Sequence, residues 1–164
     1  MNSENNNNHN SGGSNYGRFF LMLGLSFVAM YITMYLNTYE YDHVYFSLTR
    51  FYMTCLGIAA MAVIMLSLML KMYKSKKKNI AIYIGSLVLF VSALGLVRAQ
   101  RPIIGDVLYM KAMIPHHSIA ILTSKRADIK DPETKKLAEE IIEAQKREIA
   151  QMKKIIYRLE NVNK

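Results

Sequence analysis

Cysteine is almost absent from this sequence of 164 residues, which contains only Cys55. A single cysteine excludes an internal disulfide framework and a zinc site of four cysteines. Because Cys55 lies in a long apolar run, we expect it to be a small buried hydrophobic residue and not a reactive thiol. The sequence is therefore not that of a small disulfide-rich protein or of a cysteine-based zinc domain.

The sequence also lacks the short motifs of common enzymes. It contains no Gly-x-Ser-x-Gly, no phosphate-binding glycine loop and no His-Glu-x-x-His, and it lacks the pair of Glu-x-x-His motifs that a di-iron bundle requires. We therefore predict a protein that is not an enzyme. The net charge of +9 comes without a basic patch interleaved with aromatic residues, so we expect no nucleic-acid partner.

Charged residues are missing from three long apolar segments, which are residues 19–36, 51–70 and 80–97. At about 1.5 Å per residue, helices of these lengths reach about 27–30 Å, enough to cross the hydrocarbon core of a bilayer. We therefore predict a three-helix transmembrane region over residues 19–97, with the lipid bilayer as its partner. The polar, low-complexity residues 1–18 are predicted to form a disordered cytoplasmic tail.

Lysines in one short loop set the predicted orientation in the membrane. The loop of residues 71–79 carries five lysines, whereas the loop of residues 37–50 carries one cation and two acids. Positively charged loops remain in the cytoplasm, so we expect the N-terminus inside and residues 98–164 outside. The prediction is a multi-pass protein of the cell (inner) membrane with a periplasmic or extracellular C-terminal domain.

The first loop contains the run Tyr39-Glu40-Tyr41-Asp42-His43. Two acids beside a histidine could give metal ions a first contact outside the membrane. Tyrosine is enriched at membrane interfaces, so a belt of interfacial tyrosines with exposed acids is the favoured interpretation. Both interpretations place this run on the same side as the C-terminal domain.

Residues 98–164 are predicted to form two helices joined by a short turn. A helical pattern runs from about Asp106 to Ala127, and Asp131-Pro132-Glu133 is typical of the start of a second helix, which runs to about Leu159. Two such helices predict an antiparallel hairpin. Because two helices alone bury little surface, we expect a homodimer whose hairpins complete a four-helix bundle. The predicted fold is thus all-α.

The first predicted helix carries a group of potential metal ligands. Met110, Met113 and His117 are spaced three and four residues apart and share one face, and His116 flanks that face. Adjacent histidines diverge by about 100° around a helix, so both reach one ion only if the helix is distorted. Pro115 is expected to supply that distortion, because it removes a helical hydrogen bond.

The second helix is expected to present Glu148 and Met152 to this group. Thioether sulfur favours Cu(I), imidazole accepts Cu(I) and Cu(II), and a carboxylate suits Cu(II). The spacing therefore predicts a copper site, with either oxidation state as the cofactor. Its candidate ligands are Met110, Met113, His116, His117, Glu148 and Met152. Core packing of a methionine stripe is the alternative, since methionine often fills gaps between helices.

Two motifs together resemble a known family. The run Met113-Ile114-Pro115-His116-His117, followed by Ala120-Ile121 and then Gln145-x₂-Glu148-Ile149-x₂-Met152, is similar to the domain of unknown function 305 family. The resemblance covers about residues 109–156. It implies a ferritin-like four-helix bundle that binds copper outside the cytoplasm. The ligands it implies are Met110, Met113, His116, His117 and Met152.

This sequence departs from the family pattern at three places. Ala112 stands where the family often has an acid, Thr123 stands where it often has a methionine, and no aromatic residue follows Met152 closely. The expected function is membrane-anchored copper binding in extracytoplasmic metal handling or tolerance, with a copper transporter or copper chaperone as a candidate partner. The alternative is a non-catalytic structural or regulatory membrane subunit whose hairpin is an interaction module.

Overall fold

The computed structural model describes residues 11–100 and 103–162. Over these residues all of the regular secondary structure is helical, which confirms the predicted all-α fold. A short 3₁₀ turn, Tyr41–His43, accompanies five α-helices. The helices are α1 (Ser11–Thr33), α2 (Leu48–Leu68), α3 (Lys76–Ala99), α4 (Asp106–Arg126) and α5 (Pro132–Val162).

Three helices are long and apolar enough to cross a membrane. Their mean hydropathies are 1.4 for Asn15–Thr33, 2.1 for α2 and 2.4 for α3, and the protein itself buries only 11%, 28% and 17% of these segments. Large apolar side chains are consequently left exposed, and Leu68 is 81% exposed. Surface of this kind is typical of helices whose outer faces meet lipid.

The chain divides into two compact units. The first contains α3 and most of α1 and α2, and the second contains Ile32–Phe51 and Gln100–Lys164. Sequence analysis assigns only residues 98–164 to the second unit. The loop between α1 and α2 joins it because Tyr39 and Tyr45 pack against the core of α4 and α5.

In the first unit, α1 begins earlier than expected. The sequence predicts a disordered tail over residues 1–18, but residues 11–18 belong to α1, and residues 1–10 lie outside the described part of the chain. Tyr16 explains the early start. Its ring packs against Tyr73 at 5.1 Å between centroids, and its hydroxyl donates to Asn79 Oδ1 at 2.7 Å. A buried contact between distant segments thus orders this end of the helix.

In the second unit, α4 and α5 pack along their lengths. Lys111 near the start of α4 pairs with Glu160 near the end of α5 at 2.6 Å, whereas His117 pairs with Glu148 at 2.7 Å. Contacts later in α4 are therefore made with residues earlier in α5. The buried core between them consists of Met110, Ile114, Ile121, Ile149 and Ile156.

Local sequence determines where α5 begins. Asp131 Oδ2 accepts the backbone N–H of Thr134 at 2.7 Å, which satisfies one of the free donors of the first turn. Pro132 occupies the first helical position, where its missing N–H costs nothing. The start of α5 is therefore the one that the Asp131-Pro132-Glu133 motif predicts.

Candidate metal centre

One face of α4 and one face of α5 border a shared cleft. The cleft has a volume of about 480 Å³. Met110 is buried, and the other ligand candidates on its walls are half-buried. Five of the six predicted ligands line it: Met110, Met113, His117, Glu148 and Met152. The structure thus gathers three thioether sulfurs, one imidazole and one carboxylate around a single space.

His117 is held in place at both ring nitrogens. Nδ1 lies 2.9 Å from the Met113 carbonyl oxygen, and Nε2 lies 2.7 Å from Glu148 Oε2. Both partners are acceptors, whereas a neutral imidazole has only one N–H to donate. The Nδ1 contact is within α4, and Nε2 is the nitrogen directed at Glu148 on the cleft wall.

His116 does not face this cleft. It is exposed and lines a separate cavity of about 210 Å³, which Arg50, Tyr109 and Met113 also border. The two histidine rings are 6.2 Å apart between centroids, with an angle of 68° between their planes. Met113 borders both spaces. The geometry therefore separates the two histidines, as their 100° divergence around a helix suggests.

Pro115 lies inside α4, and the helix continues through it. The proline ring is fully buried. Proline has no N–H, so the carbonyl of Lys111 lacks its usual partner at this position. In this structure, the missing hydrogen bond does not bring His116 and His117 to one cleft.

Sequence reasoning missed the polar rim of the cleft. Asp106, Gln151 and Arg158 line it together with the five candidate ligands. Asp106 lies four residues before Met110, so the spacing that connects the methionines to His117 extends to it. That helical spacing is a signal that could have found Asp106.

Comparison with known proteins places these helices in a family. The family model described as "Domain of unknown function (DUF305)" matches residues 97–157. An uncharacterized protein of Acanthamoeba polyphaga mimivirus is 37% identical over 145 residues, which is 87% of this chain and 93% of that protein. The chain belongs to this family. No solved structure matches it.

The family match confirms the resemblance seen in the sequence and defines the DUF305 domain of this chain. The domain includes all of α4 and most of α5. It therefore contains every residue that lines the cleft except Arg158 and Leu159. The mimivirus protein is similar over a much longer stretch than the domain alone. The shared region therefore extends into the apolar N-terminal helices.

The loop between α1 and α2 docks on the DUF305 domain. Ser118 is completely buried, accepts the backbone N–H of Tyr39 at 2.7 Å and lies 3.0 Å from His43 Nδ1. Lys125 Nζ donates to the Tyr39 hydroxyl at 2.6 Å, and Lys153 pairs with Asp42. These contacts hold the loop against both α4 and α5.

The docked loop contains two groups with shifted acidity. Burial lowers the pKa of His43, and the positive charge of Lys153 lowers it further. The hydrogen bond from Lys153 holds the pKa of Asp42 below its usual range. The sequence alone left this loop between two interpretations, because neither the burial of His43 nor its contact with Ser118 is visible in a local pattern.

Proposed function

We propose that this protein is a membrane-anchored, non-catalytic copper-binding protein that acts in metal handling or tolerance outside the cytoplasm. The observation that supports the proposal is the cleft in which methionines from two helices meet His117 and Glu148. A methionine that only fills the core has no need of a hydrogen-bonded histidine and glutamate beside it. Sulfur donors next to an oriented imidazole favour a metal site.

The donor set fits copper better than other common metals. Thioether sulfur is a soft ligand that selects Cu(I), while calcium and magnesium require oxygen ligands. His117 offers Nε2 while its other nitrogen remains bonded to the Met113 carbonyl. Glu148 adds an oxygen that suits Cu(II). We propose five ligands in the cleft, which are Met110, Met113, His117, Glu148 and Met152. His116 is proposed as a further ligand from the separate cavity, which Met113 also borders.

Three membrane helices are proposed to anchor the domain. The five lysines in residues 71–79 favour a cytoplasmic position for that loop and the N-terminus, with α4 and α5 on the other side. This arrangement corresponds to a multi-pass protein of the cell (inner) membrane. A copper transporter or a copper chaperone in the same compartment is the proposed partner.

We further propose that α4 and α5 form an antiparallel hairpin and that two hairpins assemble into a ferritin-like four-helix bundle. The core between α4 and α5 is small, and Leu137 and Tyr157 of α5 are 55% and 72% exposed. A second copy related by a two-fold axis would cover apolar surface of this kind. Cross-linking in native membranes tests this arrangement, and a folded protein that is only monomeric contradicts it.

Copper binding is tested with the full chain in detergent. The protein is loaded with Cu(I) without oxygen, and its affinity is measured by competition with a coloured Cu(I) chelator. We expect the His117→Ala and Met113→Leu variants to bind at least about tenfold more weakly, because each removes one ligand. Met72→Leu is the matched control, since Met72 is 43% exposed and does not line the cleft.

The proposal fails if the two cleft variants bind Cu(I) as tightly as the control does. That result would favour the alternative function, in which the α4 and α5 pair is an interaction module of a structural or regulatory membrane subunit. Assembly that is unchanged by a strong chelator and by His116→Ala would support the same alternative.

A further inference from the structure

A second group of ligand atoms lies in the loop docked on the DUF305 domain. One ligand atom from each of Glu40, Asp42 and His43 lies within 4.8 Å of the others. His43 Nε2 is 3.5 Å from Glu40 Oε2 and 3.6 Å from Asp42 Oδ1. These separations are too long for good hydrogen bonds. The three side chains therefore approach one another without bonding directly.

The separations match those of ligands around one tetrahedral metal ion. Zinc binds histidine nitrogen and carboxylate oxygen at about 2.0–2.2 Å, so two ligands of a tetrahedral ion lie roughly 3.3–3.6 Å apart. Magnesium, at about 2.1 Å in an octahedron, would bring neighbouring ligands to roughly 3.0 Å. The distances of 3.5 and 3.6 Å from His43 Nε2 to the two carboxylates lie in the tetrahedral range. Calcium, with bonds of about 2.3–2.6 Å, would give similar separations, and the imidazole ligand is what favours zinc over it.

His43 is oriented toward this space before any ion binds. Its side chain is only 7% exposed, and Nδ1 lies 3.0 Å from the buried Ser118 hydroxyl. With Nδ1 occupied by that contact, Nε2 faces the two carboxylates. Metal-binding histidines commonly make a hydrogen bond of this kind through the ring nitrogen that does not bind the metal.

The two oxygens of the Asp42 carboxylate contact different partners. Asp42 uses Oδ2 for the pair with Lys153 and turns Oδ1 toward His43. The Glu40 and Asp42 side chains are 55% and 65% exposed, so an ion has access from solvent and water can complete its coordination. The two carboxylates offset the charge of a divalent ion, and the Lys153 ammonium paired with Asp42 opposes part of that effect.

We propose that Glu40, Asp42 and His43 form a second metal site, which binds one borderline divalent transition-metal ion of the zinc type. The site has no sulfur ligand and shares no residue with the methionine cleft. It therefore selects by a different chemistry, because nitrogen and oxygen donors suit Zn²⁺ and Cu²⁺ whereas thioethers suit Cu(I). The inference does not depend on copper binding in the cleft.

Zinc and cobalt are the probes for this site. The full chain in detergent is titrated with Zn²⁺ against a fluorescent chelator, and with Co²⁺ to record the strong visible absorption of a tetrahedral complex. We expect Glu40→Gln and Asp42→Asn each to weaken Zn²⁺ binding at least about tenfold and to remove the cobalt band. Asp128→Asn is the matched control, since Asp128 is an exposed acid whose ion pair is with Lys130, outside the proposed site.

Two results would overturn the proposal. One is Zn²⁺ binding by Glu40→Gln and Asp42→Asn equal to that of the control. The other is loss of Zn²⁺ binding in His117→Ala, which would place the ion in the methionine cleft. Conversely, zinc binding retained in His117→Ala supports a separate site even if the cleft does not bind copper. Because Glu40 and Asp42 are exposed, their variants are expected to fold, and circular dichroism checks this.

Discussion

The contact between Ser118 and the first loop gives a quantitative test of how that loop is held. Ser118 is completely buried, and its hydroxyl accepts the Tyr39 N–H at 2.7 Å while meeting His43 Nδ1 at 3.0 Å. Ser118→Ala removes the hydroxyl and leaves both groups without this partner. An unsatisfied buried donor costs about 1–3 kcal/mol. Since two groups lose a partner, we expect the free energy that holds the loop on α4 and α5 to fall by about 2–3 kcal/mol.

Hydrogen exchange measures this loss directly. Since about 1.4 kcal/mol corresponds to a factor of ten, the Tyr39 amide of Ser118→Ala should exchange roughly 30–150-fold faster. Amides in the middle of α5 should be nearly unaffected, because they do not depend on the loop. Mass spectrometry of the peptide that contains Tyr39 gives the rate.

Thr123→Ala is the matched control in the same helix. Thr123 is exposed, and its hydroxyl donates only within α4, to Ile119 O at 3.0 Å and Ala120 O at 3.1 Å. We expect no change in exchange at Tyr39 for this variant. Wild-type exchange in Ser118→Ala, or equal acceleration in both variants, would refute the view that Ser118 holds the loop.

Two further predictions concern the stability of α4 and α5. Ile114→Ala should destabilise the pair by about 2–5 kcal/mol in a denaturant titration, because Ile114 is completely buried, whereas Thr123→Ala at an exposed position should change little. At the start of α5, the hydrogen bond from Thr134 lowers the pKa of Asp131 below its ordinary value of 3.8. The folded state therefore gains stability above that value and loses it as the pH falls through the depressed pKa. Circular dichroism should show a larger acid-dependent loss in the wild type than in Asp131→Asn, which keeps the cap without the charge, while the loss due to Asp42 remains in both. An identical profile in both would contradict the assignment.

Much of the fold was predictable because it follows from local patterns. Long runs without charge located the three apolar helices, and the Asp131 cap with Pro132 located the start of α5. The spacing of Met110, Met113 and His117 predicts that they share one face of α4, and all three line one cleft. Each of these features depends on residues close together in the sequence.

The remaining features depend on contacts between distant residues. Tyr16 bonds Asn79 across 63 positions, and His43 meets Ser118 across 75 positions. Neither contact leaves a periodic trace in the sequence, so the early start of α1 and the docking of the loop were not predictable. The position of His116 depends on how α4 is rotated against its neighbours, which a motif of adjacent residues cannot specify.

The meeting of His43 with Ser118 also constrains how the chain threads a bilayer. Two segments can touch in water only if the chain between them crosses the membrane an even number of times. The helices between these residues that are long and apolar enough to cross are α2 and α3. A topology in which only one of them crosses would leave the two residues on opposite sides and break the contact. The contact therefore requires that α2 and α3 either both cross a membrane or both stay out of it, whichever way the chain is oriented.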